Sequence, residues 1–351
     1  SGQTHTITVS VNSDAVVEPH ETFSVQLGEA VGLDPGQSVV IPVNTLESTI
    51  LNDDAANLTL TAANSNGTEG DAYEFTVTLS AEVQNSFTID YATVAATATE
   101  IDSDYTAASG TLNFTGAQNE SHSFTVQSLQ DNKVELDEVF AVILQRLDGL
   151  PPSAAGAVFT IGDPLSVTIQ NDDSATVTIS PPTATSEGSG GTATELTFEV
   201  SLSAPVQGGV SVNYQTVDGT ATSPSDFVAV ADTLNFAGDA ETKTISVLID
   251  ADDTVEADET LQVMLDQLAV QLAGLEDSVT IATETATATI LNDDSATLSI
   301  TGPGALDEGS EFVFTVTLSN GVQDGLNVAY TTEEGTATLV DNDFQDNDGS
   351  L

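Results

Sequence analysis

The stretch "TATATILNDDSATLSI", Thr285–Ile300, decides the fold. On both sides of an Asn-Asp-Asp triplet, Thr or Ser alternates with apolar residues at period two. Half-buried strands give this pattern, because successive side chains point to opposite faces. No Gly/Ser-rich or Pro-rich linker separates the two runs, so one strand ends and another begins within a few residues. The triplet itself is peculiar, since two adjacent carboxylates repel unless something cationic lies between them. It also recurs, as "LNDD" at Leu51–Asp54 and "QNDD" at Gln170–Asp173.

The triplets begin at Asn52, Asn171 and Asn292, spacings of 119 and 121 residues. Three further landmarks keep the same step. "TEG", "SEG" and "DEG" place Glu69, Glu187 and Glu308, and "SDY", "SDF" and "NDF" place Asp104, Asp226 and Asp343. The acidic stretches "SDAVVEPHETF", "QDNKVELDEVF" and "ADDTVEADETL" align Asp14, Asp131 and Asp252. Their glutamates are Glu18, Glu135 and Glu256, followed by Glu21, Glu138 and Glu259. Landmarks that share one period define a tandem repeat.

Within a period, runs such as "ELTFEVSLS" (Glu195–Ser203), "VSVNYQT" (Val210–Thr216) and "TISVLID" (Thr244–Asp250) are rich in β-branched and aromatic residues. About seven such runs per period, with no amphipathic helix, predict an all-β chain of tandem immunoglobulin-like antiparallel β-sandwiches. The absence of Trp and Cys departs from the antibody-type core, so that likeness is architectural. With such short junctions the sandwiches are expected to form a rod. The expected organisation is the second half of a repeat over 1–54, complete repeats over 55–173 and 174–294, and the first half of a repeat over 295–351. Superposing the ends on one period leaves about four residues unaccounted for. A window from a longer array is expected, the alternative being a filament in which one chain's half-repeat completes its neighbour's.

Charge narrows the partners. The 351 residues carry 55 Asp and Glu against 3 Lys and Arg, a formal net charge of -52. Nucleic acid would be repelled, as would anionic membranes without a bridging cation. No apolar run is long enough to span a bilayer, and a secretion signal is expected outside this segment. Without Cys there is neither a disulfide framework nor a thiolate metal site.

The acids instead suggest a cation. If Glu69, Asp104, Asp131, Glu135, Glu138, Asp172 and Asp173 share one end of a sandwich, each pair about 4 Å apart is opposed by roughly 4 kcal/mol at an effective dielectric near 20. Several such pairs exceed a domain's whole stability of about 5–15 kcal/mol. Ca2+ suits an all-oxygen, partly bidentate ligand set gathered from separate loops. Zn2+ would want His or Cys, and His5, His20 and His122 have no ligand spacing. His122, on an alternating strand, is expected at the surface. Paired carboxylates also serve glycosidases, but here they recur in every repeat with no Trp platform for sugar, so no catalytic activity is expected.

"NYQTVDGTATSPSDF" (Asn213–Phe227), "DADDTVEADETL" (Asp250–Leu261) and the terminal triplets resemble the Calx-beta family, calcium-binding β-sandwiches of sodium–calcium exchangers and of large bacterial surface proteins. The resemblance covers the chain. It implies calcium at the sandwich end, held in the third repeat by Glu187, Asp226, Asp252, Glu256, Glu259, Asp293 and Asp294, and in the second by the seven residues named above. In the partial repeats the matching positions are Asp14, Glu18, Glu21, Asp53 and Asp54, and Glu308 and Asp343. Three departures stand out. Lys133 occupies a position where a main-chain carbonyl ligand is implied, His20 replaces the Asp of Asp137 and Asp258, and Ala95 replaces Asp218.

The function expected is a calcium-binding structural segment of a secreted, extracellular or cell-surface repeat protein, an adhesin or filament stiffened by Ca2+ at its junctions. The expected partners are calcium ions and neighbouring repeats of the same or an adjacent chain. The alternatives are a calcium-dependent module that binds host glycans or matrix proteins, and an accessory scaffold of a secreted enzyme.

Overall fold

Period-two alternation is realised strand by strand in the computed structural model, which describes residues 2–351. The chain divides into two compact units, one ending at Asp173 and the other running Ser174–Leu351. The first unit opens with a two-stranded antiparallel sheet of β1 (Glu21–Gln26) and β2 (Thr45–Ile50). A sandwich follows, built from β3 (Ala56–Ala62), β4 (Asn66–Thr68), β5 (Ala72–Leu79), β6 (Phe87–Ala95), β7 (Ser109–Phe114), β8 (Ser121–Gln127), β9 (Glu138–Asp148), β10 (Val158–Ile161) and β11 (Leu165–Gln170). One sheet has the order β10-β3-β5-β8 and the other β4-β11-β9-β6-β7.

The second unit repeats this plan. Its sandwich comprises β12 (Ala175–Ser180), β13 (Thr185–Ser186), β14 (Thr194–Leu202), β15 (Val210–Asp218), β16 (Ala231–Phe236), β17 (Thr242–Ile249), β18 (Glu259–Val270), β19 (Val279–Thr283) and β20 (Thr285–Leu291). The sheet orders are β17-β14-β12-β19 and β13-β20-β18-β15-β16. Two small sheets close the unit, β21 (Leu298–Thr301) with β22 (Thr315–Leu318), and β23 (Ala329–Tyr330) with β24 (Gly349–Ser350).

Each repeat therefore holds more strands than expected, and the sheets are not wholly antiparallel. β10 runs parallel to β3, and β4 parallel to β11. The cause is local. After β3 the chain keeps its direction but crosses to the other sheet as β4, so the opening strand of a repeat serves both layers. The long connection from β9 to β11 contributes β10 to an edge, and it also holds one helical turn, Pro152–Ala155. β4 and β10 are 3 and 4 residues long, too short to show a period.

The core lies between the sheets. Leu58 and Leu60 of β3 and Tyr73, Phe75, Val77 and Leu79 of β5 are buried while their neighbours face out. Phe140 of β9 lies at the centre, edge-on to Tyr73 (5.5 Å between centroids) and stacked on Tyr105 (4.6 Å). The Tyr73 hydroxyl donates to the Thr168 carbonyl at 2.8 Å, so burying the phenol strands no polar group. Register is held across repeats. Glu138 lies opposite Ile169, Glu259 opposite Ile290 and Glu21 opposite Ile50. That pairing sets an acidic residue at the start of a long strand beside the strand that runs into the triplet.

Inside each unit a valine fastens a partial repeat to a complete one. The Val17 amide donates to Glu82 O (2.9 Å) and the Gln84 amide to Val17 O (2.8 Å), a parallel bridge with both Val17 and Val83 buried. The Val83 amide is itself held by Gly116 O at 2.8 Å. Gly116 has φ +97, and a Cβ there would stand 2.1 Å from Val83 O, so only glycine fits. Val255 makes the same two bonds, to Gly321 O and from the Gln323 amide, both at 2.9 Å.

Phe140→Ala is expected to lower the stability of the first unit by about 3–5 kcal/mol. The urea midpoint, followed by the tyrosine signal of Tyr73 and Tyr105, checks this.

Candidate metal centre

The Asn of each triplet is a buckle. Asn171 Oδ1 accepts the Glu135 amide at 3.0 Å, and its Nδ2 donates to Asp173 O at 3.1 Å. Its own amide donates to Asp137 Oδ1 at 3.1 Å. Asn292 repeats the pattern with Glu256 (2.8 Å), Asp294 (3.1 Å) and Asp258 (3.1 Å). Asn52 does so with Glu18 (2.9 Å) and Asp54 (2.8 Å), and there His20 Nδ1 accepts its amide at 3.1 Å. The acidic loop and the triplet are thereby tied together in the same way in all three copies. His20 consequently replaces a hydrogen-bond acceptor and not a ligand. Asp218 has a similar bracing role, accepting the Ser223 amide at 3.1 Å, so Ala95 removes no carboxylate from the cluster.

Around the buckle, carboxylates gather in two trios per complete repeat. Glu69, Asp131 and Asp173 form one and Asp104, Glu135 and Glu138 the other, each with oxygens within 4.8 Å of one another. The third repeat has Glu187, Asp293 and Asp294, and Asp226, Glu256 and Glu259, on the same measure. Backbone donors aim several of these groups. Asp104 Oδ2 accepts the Thr99 amide and Asp226 Oδ2 the Thr222 amide, both at 2.6 Å. Asp131 Oδ1 accepts the Lys133 amide (2.7 Å) and Asp252 Oδ1 the Thr254 amide (2.6 Å). One oxygen of each is fixed by an amide, and Asp104 and Asp226 also hydrogen-bond Glu138 and Glu259.

Asp172 and Asp252 stand beside the trios without joining them. Asp172 accepts from Gln130 Nε2 at 3.1 Å, and Asp252 is close enough to Glu187 and Glu256 to raise both by its charge. In the partial repeats the expected residues form no trio among the described residues. Among Asp14, Glu18, Glu21, Asp53 and Asp54, Glu18 is raised by partial desolvation and then by Asp14, Glu21 and Asp54. Glu308 is exposed, and Asp343 Oδ2 accepts the Thr338 amide at 2.9 Å.

Crowding shows in the titration of these groups. Burial, then the charges of neighbouring aspartates, pushes Glu69 up to about 7 against a backbone bond from Asp131. Burial, then Glu256 and the neighbouring aspartates, pushes Glu187 up to about 7. Burial and a shared proton with Asp104 push Glu138 up to about 8. Lys133 partly offsets the charge by an ion pair with Glu135, and although burial lowers it, the surrounding carboxylates hold its ammonium above the ordinary range. Among the described residues, four buried oxygens, Glu138 Oε2, Asp173 Oδ2, Glu187 Oε1 and Asp294 Oδ2, have no hydrogen-bond partner. Orphaned carboxyl oxygens in an all-oxygen set fit a hard divalent cation of flexible coordination.

His122 stands at the surface of β8 with its side chain 37% exposed. It bonds Glu120 at 2.9 Å and packs edge-on against Phe114. Two contributors escaped the sequence reading, the Asn buckle and the Val17 and Val255 bridges. Each had a signal in the text, an invariant Asn before the acids and a Val at the same offset inside "AVVEP", "NKVEL" and "DTVEA".

Such a fold with acidic trios at the strand ends describes a calcium-binding sandwich module. The chain belongs to the Calx-beta domain family, whose model matches residues 2–55, 52–169, 170–294 and 305–351. Calx-beta domains are calcium-binding modules. Sodium/calcium exchanger 1 of Bos taurus is 33% identical over 157 residues, 40% of this chain and 16% of the exchanger's length. Among solved structures, CBD12 from CALX1.2 is 18% identical over 66% of this chain and 99% of that chain, with a TM-score of 0.30. The apo-form Calx CBD1 domain is 25% identical over 34% of this chain and 99% of that chain, with a TM-score of 0.27. No helix among the described residues is long and apolar enough to cross a membrane.

A carboxyl group raised on folding favours the native state below its unfolded pKa, and that contribution is lost as pH rises through the folded value. Metal-free protein is therefore expected to lose thermal stability steadily between about pH 4.5 and pH 8, the span over which Glu69, Glu187 and Glu138 ionise. Melting curves in chelator across that range check the sign, and a rising melting temperature would contradict it.

Proposed function

We propose that the chain is a calcium-binding structural segment of an extracellular repeat protein, in which Ca2+ at the ends of successive sandwiches stiffens the joints of a surface adhesin or filament. The partnerless buried oxygens of Glu138, Asp173, Glu187 and Asp294 carry this reading. They lie in clusters where, among the described residues, Lys133 is the one basic group that reaches in. Each complete repeat would hold its ions through the trios, with Asp172 and Asp252 joining on closure. The ion supplies positive charge; the protein supplies oxygens already aimed by backbone amides.

Stiffening follows from what else touches these loops. The loop bearing Glu18 also bears Val17, which bridges to Val83 of the next repeat. The loop bearing Glu256 bears Val255, bridged to Val322, and Gln323 Nε2 donates to Glu259 Oε1 at 3.1 Å. Fixing the acidic loop with an ion therefore fixes the residues on which the next repeat rests. Domain boundaries at 54/55, 173/174 and 294/295 put a triplet at every joint.

The chain has no Cys, so Ser246→Cys with Thr317→Cys gives unique label sites on either side of the joint that Val255 bridges. The interlabel distance distribution is expected to be narrow with calcium and to broaden in chelator. An unchanged distribution rejects stiffening, and calorimetric titration of stripped protein without heat rejects the ion. Lys133→Ala is expected to tighten calcium binding in the second repeat by about threefold to tenfold, since ligand charge sets affinity in such sites. The same titration reads this.

A further inference from the structure

A dipeptide recurs that the acidic landmarks do not explain. Val83-Gln84, Val206-Gln207 and Val322-Gln323 place a valine followed by glutamine in three successive repeats. The valine has a role, since Val83 and Val322 bridge to Val17 and Val255 of the preceding repeat. The glutamine backbone completes those bridges, the Gln84 amide donating to Val17 O at 2.8 Å and the Gln323 amide to Val255 O at 2.9 Å. A backbone bond asks nothing of the side chain, so the bridge does not account for glutamine.

In the second unit that side chain has a target. Gln323 Nε2 donates to Glu259 Oε1 at 3.1 Å, although the two residues belong to different repeats. Glu259 is 7% exposed and forms a trio with Asp226 and Glu256. Asp226 hydrogen-bonds it as well. An amide from the following repeat thus reaches the carboxylates of the preceding one. In the neighbouring trio of the same repeat, Glu187 is 5% exposed and its Oε1 has no partner, which points independently to a cation.

The loop that carries Gln323 is braced on both sides. Gly321 O accepts the Val255 amide at 2.9 Å, which ties it to the acidic stretch. The Ser319 amide donates to Thr297 O at 2.9 Å, and Ser319 Oγ accepts the Thr297 amide at 2.8 Å. Asn320 Nδ2 donates to Ser295 O at 3.0 Å, and Ser295 directly follows Asp294 of the triplet. Beyond Gln323 the chain turns through Asp324 (φ +63) and Gly325 (φ +76), with the Gly325 amide on Val322 O at 2.9 Å. The backbone is held while the terminal amide keeps its rotation.

Amide chemistry suits such a place. A glutamine presents NH2 donors and a carbonyl acceptor at the same reach, and a half-turn of the amide exchanges them. Without an ion the NH2 faces a carboxylate. With an ion on that carboxylate the carbonyl oxygen faces the ion, and Ca2+ accepts neutral amide oxygens beside carboxylates. A lysine there would repel the ion, and a glutamate would repel Glu259 in its absence. Glutamine serves both states.

We infer that Gln323 is a calcium ligand supplied across the joint, its side-chain carbonyl joining Asp226, Glu256 and Glu259 around an ion of the third repeat. The contact stands on geometry; the ion rests on the function proposed above. By linkage, an ion that takes a ligand from the following repeat favours the docked joint as much as the docked joint favours the ion.

Two readouts on the 351-residue chain test this. Calorimetric calcium titration reads the ligand, and the label pair at Ser246→Cys and Thr317→Cys reads the joint. Gln323→Ala is expected to weaken one class of calcium site by about threefold to tenfold and to shift the calcium midpoint of label narrowing by the same factor. Gln323→Glu is expected to tighten that site, because it supplies a charged oxygen, and to broaden the label distribution in chelator, where it faces Glu259. Loss of a merely structural hydrogen bond would not produce opposite signs with and without calcium. A Gln323→Ala isotherm equal to wild type, or Gln323→Glu as weak as Gln323→Ala, overturns the ligand. Labels that never narrow, while uptake and both Gln323 effects on it hold, support the ligand and overturn the stiffening alone. Absence of uptake by the wild-type chain overturns both.

Discussion

Mutual repulsion of carboxylates that cannot move apart governs this molecule. Glu138 and Glu259 begin long strands whose pairing with Ile169 and Ile290 is fixed by the core, and the strand opposite runs directly into Asn-Asp-Asp. The distance between acids on neighbouring loops is therefore set by packing elsewhere. At about 4 Å and an effective dielectric near 20, one pair opposes folding by roughly 4 kcal/mol, a large share of a domain's stability. Retained protons relieve part of this, as at Glu69 and Glu138, and a cation relieves more.

The second repeat shows an internal solution to the same problem. Lys133, one of three Lys and Arg in the chain, pairs with Glu135 inside a trio. The third repeat has Thr254 at the matching position, so its Glu256 faces Glu259, Asp226, Asp252 and Asp294 without a basic neighbour. Two repeats of one fold thus hold their acids under different internal charge. Sites along one chain need not fill together.

Strands were legible because alternation over β5, β14 and β17 reports burial one residue at a time. The tandem repeat was legible because acids that must converge recur at fixed intervals. The roles of individual acids were less so, since composition does not separate a carboxylate that faces an ion from one that receives an amide. Asp137 and Asp258 are acceptors for the amides of Asn171 and Asn292; His20, a different chemistry, does the same for Asn52. The short parallel strands β4 and β10 left no trace, because their pairing follows from the path of the chain between layers.

One core contact carries a spectroscopic consequence. Tyr105 follows Asp104 directly and stacks on Phe140 at 4.6 Å, while the corresponding residues after Asp226 and Asp343 are Phe227 and Phe344. The chain contains no tryptophan. A luminescent lanthanide substituted into the second repeat would receive excitation from an adjacent phenol, whereas the same ion in the third repeat would lack that antenna. Emission lifetime would then report on a single repeat within an array of near-identical ones, without any introduced dye.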